Sequence, residues 1–252
     1  MGSTEYKTLS GKRPLVWAHR GASGYAPENT MEAFQKAIDM KADGIEIDVY
    51  FSADKKIVIC HDEKIDRVSN GQGRVTEYTL EDLKKFDFGC KFYFGERRGI
   101  KIASLDELYS LYKSCGLCIN IEVKSGDAEM PLALINKAKE YGISDRIIYS
   151  SFNHLQLQRI LEIDKNARVA PLYSGNWLNM DKYAENMNAF AIHPNMEQVR
   201  TFPTLVEDCH KKGICVNPWT VNEDNSIAEM INAGCDAIIT NYPDRVIAQF
   251  KE

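Results

Sequence analysis

The chain has 252 residues, of which 44% are hydrophobic and 27% charged, and carries a formal net charge of −5 at pH 7. That apolar fraction suits a folded domain and excludes a disordered or collagen-like chain. The acidic balance argues against a general nucleic-acid binder, which presents a basic face. No run of about 18 apolar residues occurs, so the sequence offers no membrane span. The length allows one or two domains, but α/β barrels reach about 250 residues as one.

Short apolar runs alternate with amphipathic stretches from about residue 14 onward. The expected strands are Leu15–His19, Gly44–Tyr50, Cys118–Val123, Ile147–Ser151, Arg168–Tyr173, Ala189–His193, Ile214–Trp219 and Ala237–Thr240. They are rich in β-branched and aromatic residues and bounded by turn formers. Helical spacing appears over Thr30–Lys41, where Asn29 or Thr30 can cap, and again from Leu105 behind Ser104, with Glu107 completing a capping box. Further helical patterns cover Leu132–Tyr141, Leu155–Ile163, Pro203–Lys212, Ile227–Ala233 and Val246–Phe250. Eight strands with intervening helices predict a closed (β/α)8 TIM barrel, with an open doubly wound sheet as the alternative. The expected organisation is one domain over residues 14–252, an embedded insertion at 63–102 after strand two, and an N-terminal extension at 1–13.

The insertion breaks the βα rhythm. It follows a strand-like Lys56–Cys60 and holds a Gly71-Gln72-Gly73 turn, a short helix at Leu80–Phe86 and an aromatic stretch with Phe86, Phe88, Phe92, Tyr93 and Phe94. Long ordered insertions often cover a functional face, so these rings are expected to wall the cleft. The alternative is that they only fasten the insertion to the barrel.

Seven cysteines at irregular spacing do not resemble a disulfide framework. Cys115-Gly-Leu-Cys118 has C-x-x-C spacing but no second pair, and ordinary thiols are expected there. A reducing, cytoplasmic setting follows. Met1-Gly2-Ser3 has the look of an expression remnant, and a removed leader stays open.

The chemistry gathers at the strand ends. Along strand two, Glu46 and Asp48 share one face while Ile45, Ile47 and Val49 take the other; strand three repeats this with Asn120, Glu122 and Lys124. Adjacent carboxylates on a buried strand repel and lose hydration unless a cation compensates. A salt-bridged interior is the simple alternative, but Lys124 alone does not neutralise three acids. A hard-cation site of Glu46, Asp48 and Glu122 answers the imbalance, and all-oxygen donors favour Mg²⁺ or Ca²⁺. His19 closes strand one beside Arg20, and His61 precedes Asp62 just before the insertion. Paired imidazoles at such positions suit proton transfer near neutral pH. His193 ends strand six, where substrate contact is open, and Trp219 is a candidate wall; His154 and His210 are expected at the surface.

Taken in order, His19-Arg20-Gly21, Pro27-Glu28-Asn29-Thr30, Glu46-Ile47-Asp48, His61-Asp62, Glu122-Val123-Lys124 and Trp219-Thr220-Val221-Asn222 resemble the glycerophosphodiester phosphodiesterases. The resemblance implies a TIM barrel with a small insertion, one divalent cation on Glu46, Asp48 and Glu122, and a catalytic pair in His19 and His61. Arg20 and Lys124 then match phosphate-binding positions, while Asn29 and Thr30 read as loop-fixing and capping residues. The implied reaction cleaves a glycerophosphodiester, a small-molecule substrate, into sn-glycerol 3-phosphate and an alcohol. The alternatives are a lysophospholipase D or sphingomyelinase D-like phosphodiesterase, a metal-dependent aldolase- or enolase-type barrel, and a non-catalytic phosphodiester-binding barrel.

Overall fold

Strands buried on both faces must be covered on both, and this chain covers them by curling the sheet on itself. The computed structural model describes residues 8–9, 13–96, 98–124 and 126–250. In chain order the elements are β1 (Leu15–His19), α1 (Met31–Asp39), β2 (Gly44–Phe51), β3 (Ile57–Ile59), α2 (Leu80–Leu83), β4 (Ala103–Ser104), α3 (Leu105–Tyr112), β5 (Cys118–Val123), α4 (Met130–Tyr141) and β6 (Ile147–Ser151). There follow α5 (His154–Ile163), β7 (Arg168–Tyr173), α6 (Met180–Asn186), β8 (Ala191–Pro194), α7 (Met196–Thr201), α8 (Leu205–His210), β9 (Cys215–Val216), α9 (Asp224–Asn232), β10 (Ala237–Thr240) and α10 (Pro243–Ala248).

Parallel neighbours run in the order β10-β1-β2-β5-β6-β7-β8-β9. The seam between β9 and β10 is bridged by backbone bonds from Asp236 N to Val216 O at 2.9 Å and from Ile239 N to Pro218 O at 3.1 Å. An open sheet would leave those two edges unbonded, so the fold is the closed eight-stranded barrel and the doubly wound alternative is excluded. Ile45, Ile47 and Val49 of β2 and Ile119, Ile121 and Val123 of β5 pack outward in the main apolar core with the helices. The barrel interior has its own small apolar cluster, which includes Trp17, Cys118, Ile148, Ala170 and Ala237.

Helix α1 starts where Thr30 Oγ1 accepts from Ala33 N, so Thr30 rather than Asn29 is the cap. Ser104 and Glu107 form the expected capping box of α3. Strand seven shrinks from the expected Ile214–Trp219 to Cys215–Val216, although Asn217 N and Trp219 N still donate to Ile192 O and Pro194 O on either side of Pro218. Helices α6 and α7 are additions to the expected set.

Two short antiparallel strands flank the insertion. β3 runs antiparallel to β2, and β4 antiparallel to β3. Val58, Ile65, Val75, Leu83, Phe88 and Ile102 form a separate apolar core beneath it. The aromatic wall expected here is therefore corrected. Phe88 is buried in that core and Phe86 packs on it, Tyr93 donates its hydroxyl to Glu32, and Phe94 is fully exposed. Phe92 lines a second cleft with Glu28, Arg67 and Lys91. Of the five rings, only Phe86 and Phe88 serve local burial. All seven cysteines carry free thiols.

Candidate active site

The C-terminal ends of the barrel strands enclose a cleft of about 490 Å³ lined by His19, Arg20, Glu46, His61, Glu122, Lys124 and Trp219 among others. Register places these residues together. His19 of β1 pairs with Glu46 of β2, and Asp48 of β2 with Glu122 of β5. Same-face alternation then brings one carboxylate oxygen from each of Glu46, Asp48 and Glu122 within 4.8 Å of the others.

Those carboxylates are costly as they stand. Asp48 has no exposed surface and Glu46 very little. Burial first, then the charges of Asp48 and Glu122, push Glu46 well above the ordinary carboxylate range. Burial and Asp48 push Glu122 up as well, against the pull of Lys124. Lys124 Nζ donates to Glu122 Oε1 at 2.7 Å and stands 3.5 Å from Asp48 Oδ1, an oxygen buried without a hydrogen-bond donor. An all-oxygen, acid-rich cluster with a bare buried oxygen fits a hard cation.

Asn29 does more than fix its loop. Its Nδ2 donates to Asp48 Oδ2 at 2.9 Å and so orients that carboxylate. Arg20, at φ +56°, sits in the left-handed region, where its N–H donates to both Glu46 O and Glu46 Oε2. Gly21 follows at φ +79°, and a Cβ there would meet Ala33 at 2.7 Å, so only glycine lets this loop lie on the start of α1.

Each histidine keeps one ring nitrogen occupied. Asn241 Oδ1 can only accept, so His19 carries its proton on Nδ1, 2.7 Å away, leaving Nε2 3.9 Å from Glu46 Oε2. Burial, then the Arg20 charge, hold His19 down at about 4. His61 Nδ1 lies 2.6 Å from Asp62 Oδ1, and burial holds His61 below its ordinary value despite the nearby Asp48 carboxylate. Trp219 lines the cleft, donates its indole N–H to His193 O and meets Phe152 edge-on at 5.6 Å.

The other histidines differ from expectation. His193 has no exposed surface and lies inside the barrel between Asn120 and Asn217, behind Asn120 rather than on the cleft wall itself. His154 and His210 are half-buried rather than superficial. The first packs among Tyr173, Trp177 and Tyr183, and the second pairs with buried Asp236.

Among neighbours not singled out from the sequence, Asn241 carries only the weak signal of a polar residue just past a strand end. Glu28 stands inside a quoted motif, but nothing local shows its partners.

Comparison with known proteins decides the family. The pattern of the glycerophosphoryl diester phosphodiesterase family matches residues 19–245, nearly the whole barrel. The chain belongs to this family. It is accordingly an enzyme, a phosphoric diester hydrolase. A glycerophosphodiester phosphodiesterase of Caldanaerobacter subterraneus subsp. tengcongensis is 40% identical over 93% of this chain and 97% of its own length. One from Bacillus altitudinis is 35% identical over 92% and 96%. Among solved structures, a phosphodiesterase of Oleispira antarctica in complex with the product sn-glycerol-3-phosphate superposes with a TM-score of 0.86 at 25% identity, covering 96% of this chain and 98% of the other. A putative family member from Silicibacter pomeroyi gives 0.87, also at 25% identity, over 97% and 96%. Among the described residues, no helix is long and apolar enough to cross a membrane.

Proposed function

We propose that this phosphodiesterase hydrolyses glycerophosphodiesters to sn-glycerol 3-phosphate and an alcohol, with one divalent cation, Mg²⁺ or Ca²⁺, and with His19 and His61 as its proton-transfer pair. The observation that carries the reading is the shared cleft. Glu46 and Glu122 with Asp48 buried against them, two imidazoles each tethered through Nδ1, and the cations Arg20 and Lys124 converge there. An aldolase- or enolase-type barrel has use for the carboxylates but not for two tethered imidazoles beside Arg20 and Lys124. The sn-glycerol-3-phosphate bound by the Oleispira antarctica relative supports the product assignment.

Glu46, Asp48 and Glu122 would hold the cation, which would supply positive charge to offset that of the phosphoryl group. Arg20 and Lys124 offset the remaining phosphoryl charge from the protein side. One imidazole takes the proton of the glycerol hydroxyl next to the phosphoester as that oxygen attacks phosphorus. The other gives a proton to the departing alcohol oxygen, and water then opens the cyclic phosphate. Trp219 forms the apolar side of the cleft.

The test is release of sn-glycerol 3-phosphate from glycerophosphocholine and other deacylated diesters, with lysophospholipids and keto acids assayed beside them. Chelation is expected to abolish release, and Mg²⁺ or Ca²⁺ to restore it. Undiminished release after chelation would overturn the cation. Faster cleavage of lysophospholipids than of deacylated diesters would shift the substrate class.

A further inference from the structure

The geometry points to Arg67, a residue of the insertion, as a positioning residue that ties phosphate-binding Arg20 and catalytic His61 into one unit. This rests on the roles assigned above to those two residues. Arg67 Nε donates to Asp62 Oδ2 at 2.5 Å, and the other oxygen of Asp62 lies 2.6 Å from His61 Nδ1. On its other side Arg67 forks onto Glu28, Nη1 to Oε2 at 2.7 Å and Nη2 to Oε1 at 2.8 Å. Glu28 Oε1 also accepts from Arg20 Nη1 at 3.0 Å. A continuous chain, Arg20 to Glu28 to Arg67 to Asp62 to His61, thus runs between two residues of the cleft.

Only a planar guanidinium with several donors spans both carboxylates in this way. Glu28 responds to its place in the chain: burial alone would raise it, but the Arg67 hydrogen bonds and the Arg20 charge bring it down to about 2. Arg67 itself is about half exposed, at 49% of its side chain, and Glu28 at 21%, so solvent screens the pair in part and its contribution to folding is modest. What Arg67 governs beyond that is placement: of His61 through Asp62, and of Arg20 through Glu28.

The experiment compares Arg67→Ala and Arg67→Lys with the wild-type holoenzyme, with Arg200→Ala, a surface ion-pair variant, as the control. Arg67→Ala is expected to lower kcat about 10- to 100-fold through lost positioning and to raise KM, while Tm moves by no more than about 3 °C. Added guanidinium should recover part of the rate in Arg67→Ala and none in Arg200→Ala. Arg67→Lys should fall between, since an ammonium cannot span both carboxylates. Glu28→Gln should act mainly on KM, and Asp62→Asn mainly on kcat. Arg67→Ala kinetics within twofold of wild type would overturn the proposal, and so would a rate loss that guanidinium does not relieve. Imidazole ¹⁵N NMR of the holoprotein reads placement without turnover: the His61 ring signals should shift in Arg67→Ala and stay put in Arg200→Ala. If the wild type released no sn-glycerol 3-phosphate from any diester, the catalytic reading would fall, while unmoved His61 signals would still overturn the role of Arg67.

Discussion

At the scale of single residues, the two imidazoles carry the most pointed expectations. A proton-transfer side chain contributes about 10²–10⁴-fold, so His19→Ala and His61→Ala should each lose roughly that much of kcat. Their losses should not add, because groups acting in one transition state are coupled. Rate against pH should be bell-shaped, one imidazole working neutral and the other charged. An activated aryl diester, whose leaving oxygen needs no proton, should restore only the variant lacking the acid. Near-wild-type rates for both alanine variants on a natural diester would sink the pair. Glu46→Gln keeps the side-chain shape while removing one charge from a crowded, buried trio. It should weaken Ca²⁺ binding in calorimetry and leave Tm of the metal-free protein unchanged or raised. A marked fall in that Tm would show that the Glu46 charge is compensated without a cation.

At the scale of elements, the insertion behaves as a unit with its own core. Leu83 is fully buried there, on the short helix α2. Leu83→Ala should cost about 2–5 kcal/mol locally. Hydrogen exchange should then quicken through residues 63–102 before it does in β5 or β6; uniform loosening of the barrel would contradict a separate core. Because Phe86 packs on that core and Phe94 points to solvent, substituting either should leave the relative rates across head groups unchanged. A changed preference would bring the aromatic stretch back to the cleft. Part of the aromatic density that suggested a substrate wall is accounted for at this scale: Phe86 and Phe88 help to build a core from few residues, while Phe92, Tyr93 and Phe94 lie outside it.

For the whole molecule, the buried polar interior of the barrel sets an acid limit. Burial holds His193 at about 3, against an ordinary value of 6.5. The unfolded chain therefore takes up a proton below pH 6.5 that the folded barrel refuses until pH nears 3. This contribution is neutral above pH 6.5, and stability falls by up to about 1.4 kcal/mol per unit as pH drops through that window. His193→Gln should flatten the dependence of unfolding free energy on pH between 6.5 and 4 by about one proton; an unchanged slope would show that His193 accepts its proton in the folded state. Glu28 adds a loss of the same sign at lower pH. Its stabilising charge is fully present above its ordinary 4.5 and disappears as pH falls toward 2.

The sequence by itself determined whatever depends on local periodicity. An alternation of two places Glu46 with Asp48, and Asn120 with Glu122, on one face of their strands, and the pairing of Asp48 with Glu122 follows once those strands are neighbours. The ends of apolar runs likewise marked His19 and His61. Tertiary structure alone decided what joins distant segments: the closure of β9 on β10, the hold of Asn241 on His19 across 222 positions, and the fork of Arg67 onto Glu28 across 39. It also moved His193 from a candidate substrate contact to the barrel interior. The reason is physical. A strand imposes its spacing on the residues within it, whereas a hydrogen bond between loops has no period and exists only once the barrel has brought its strand ends to one rim.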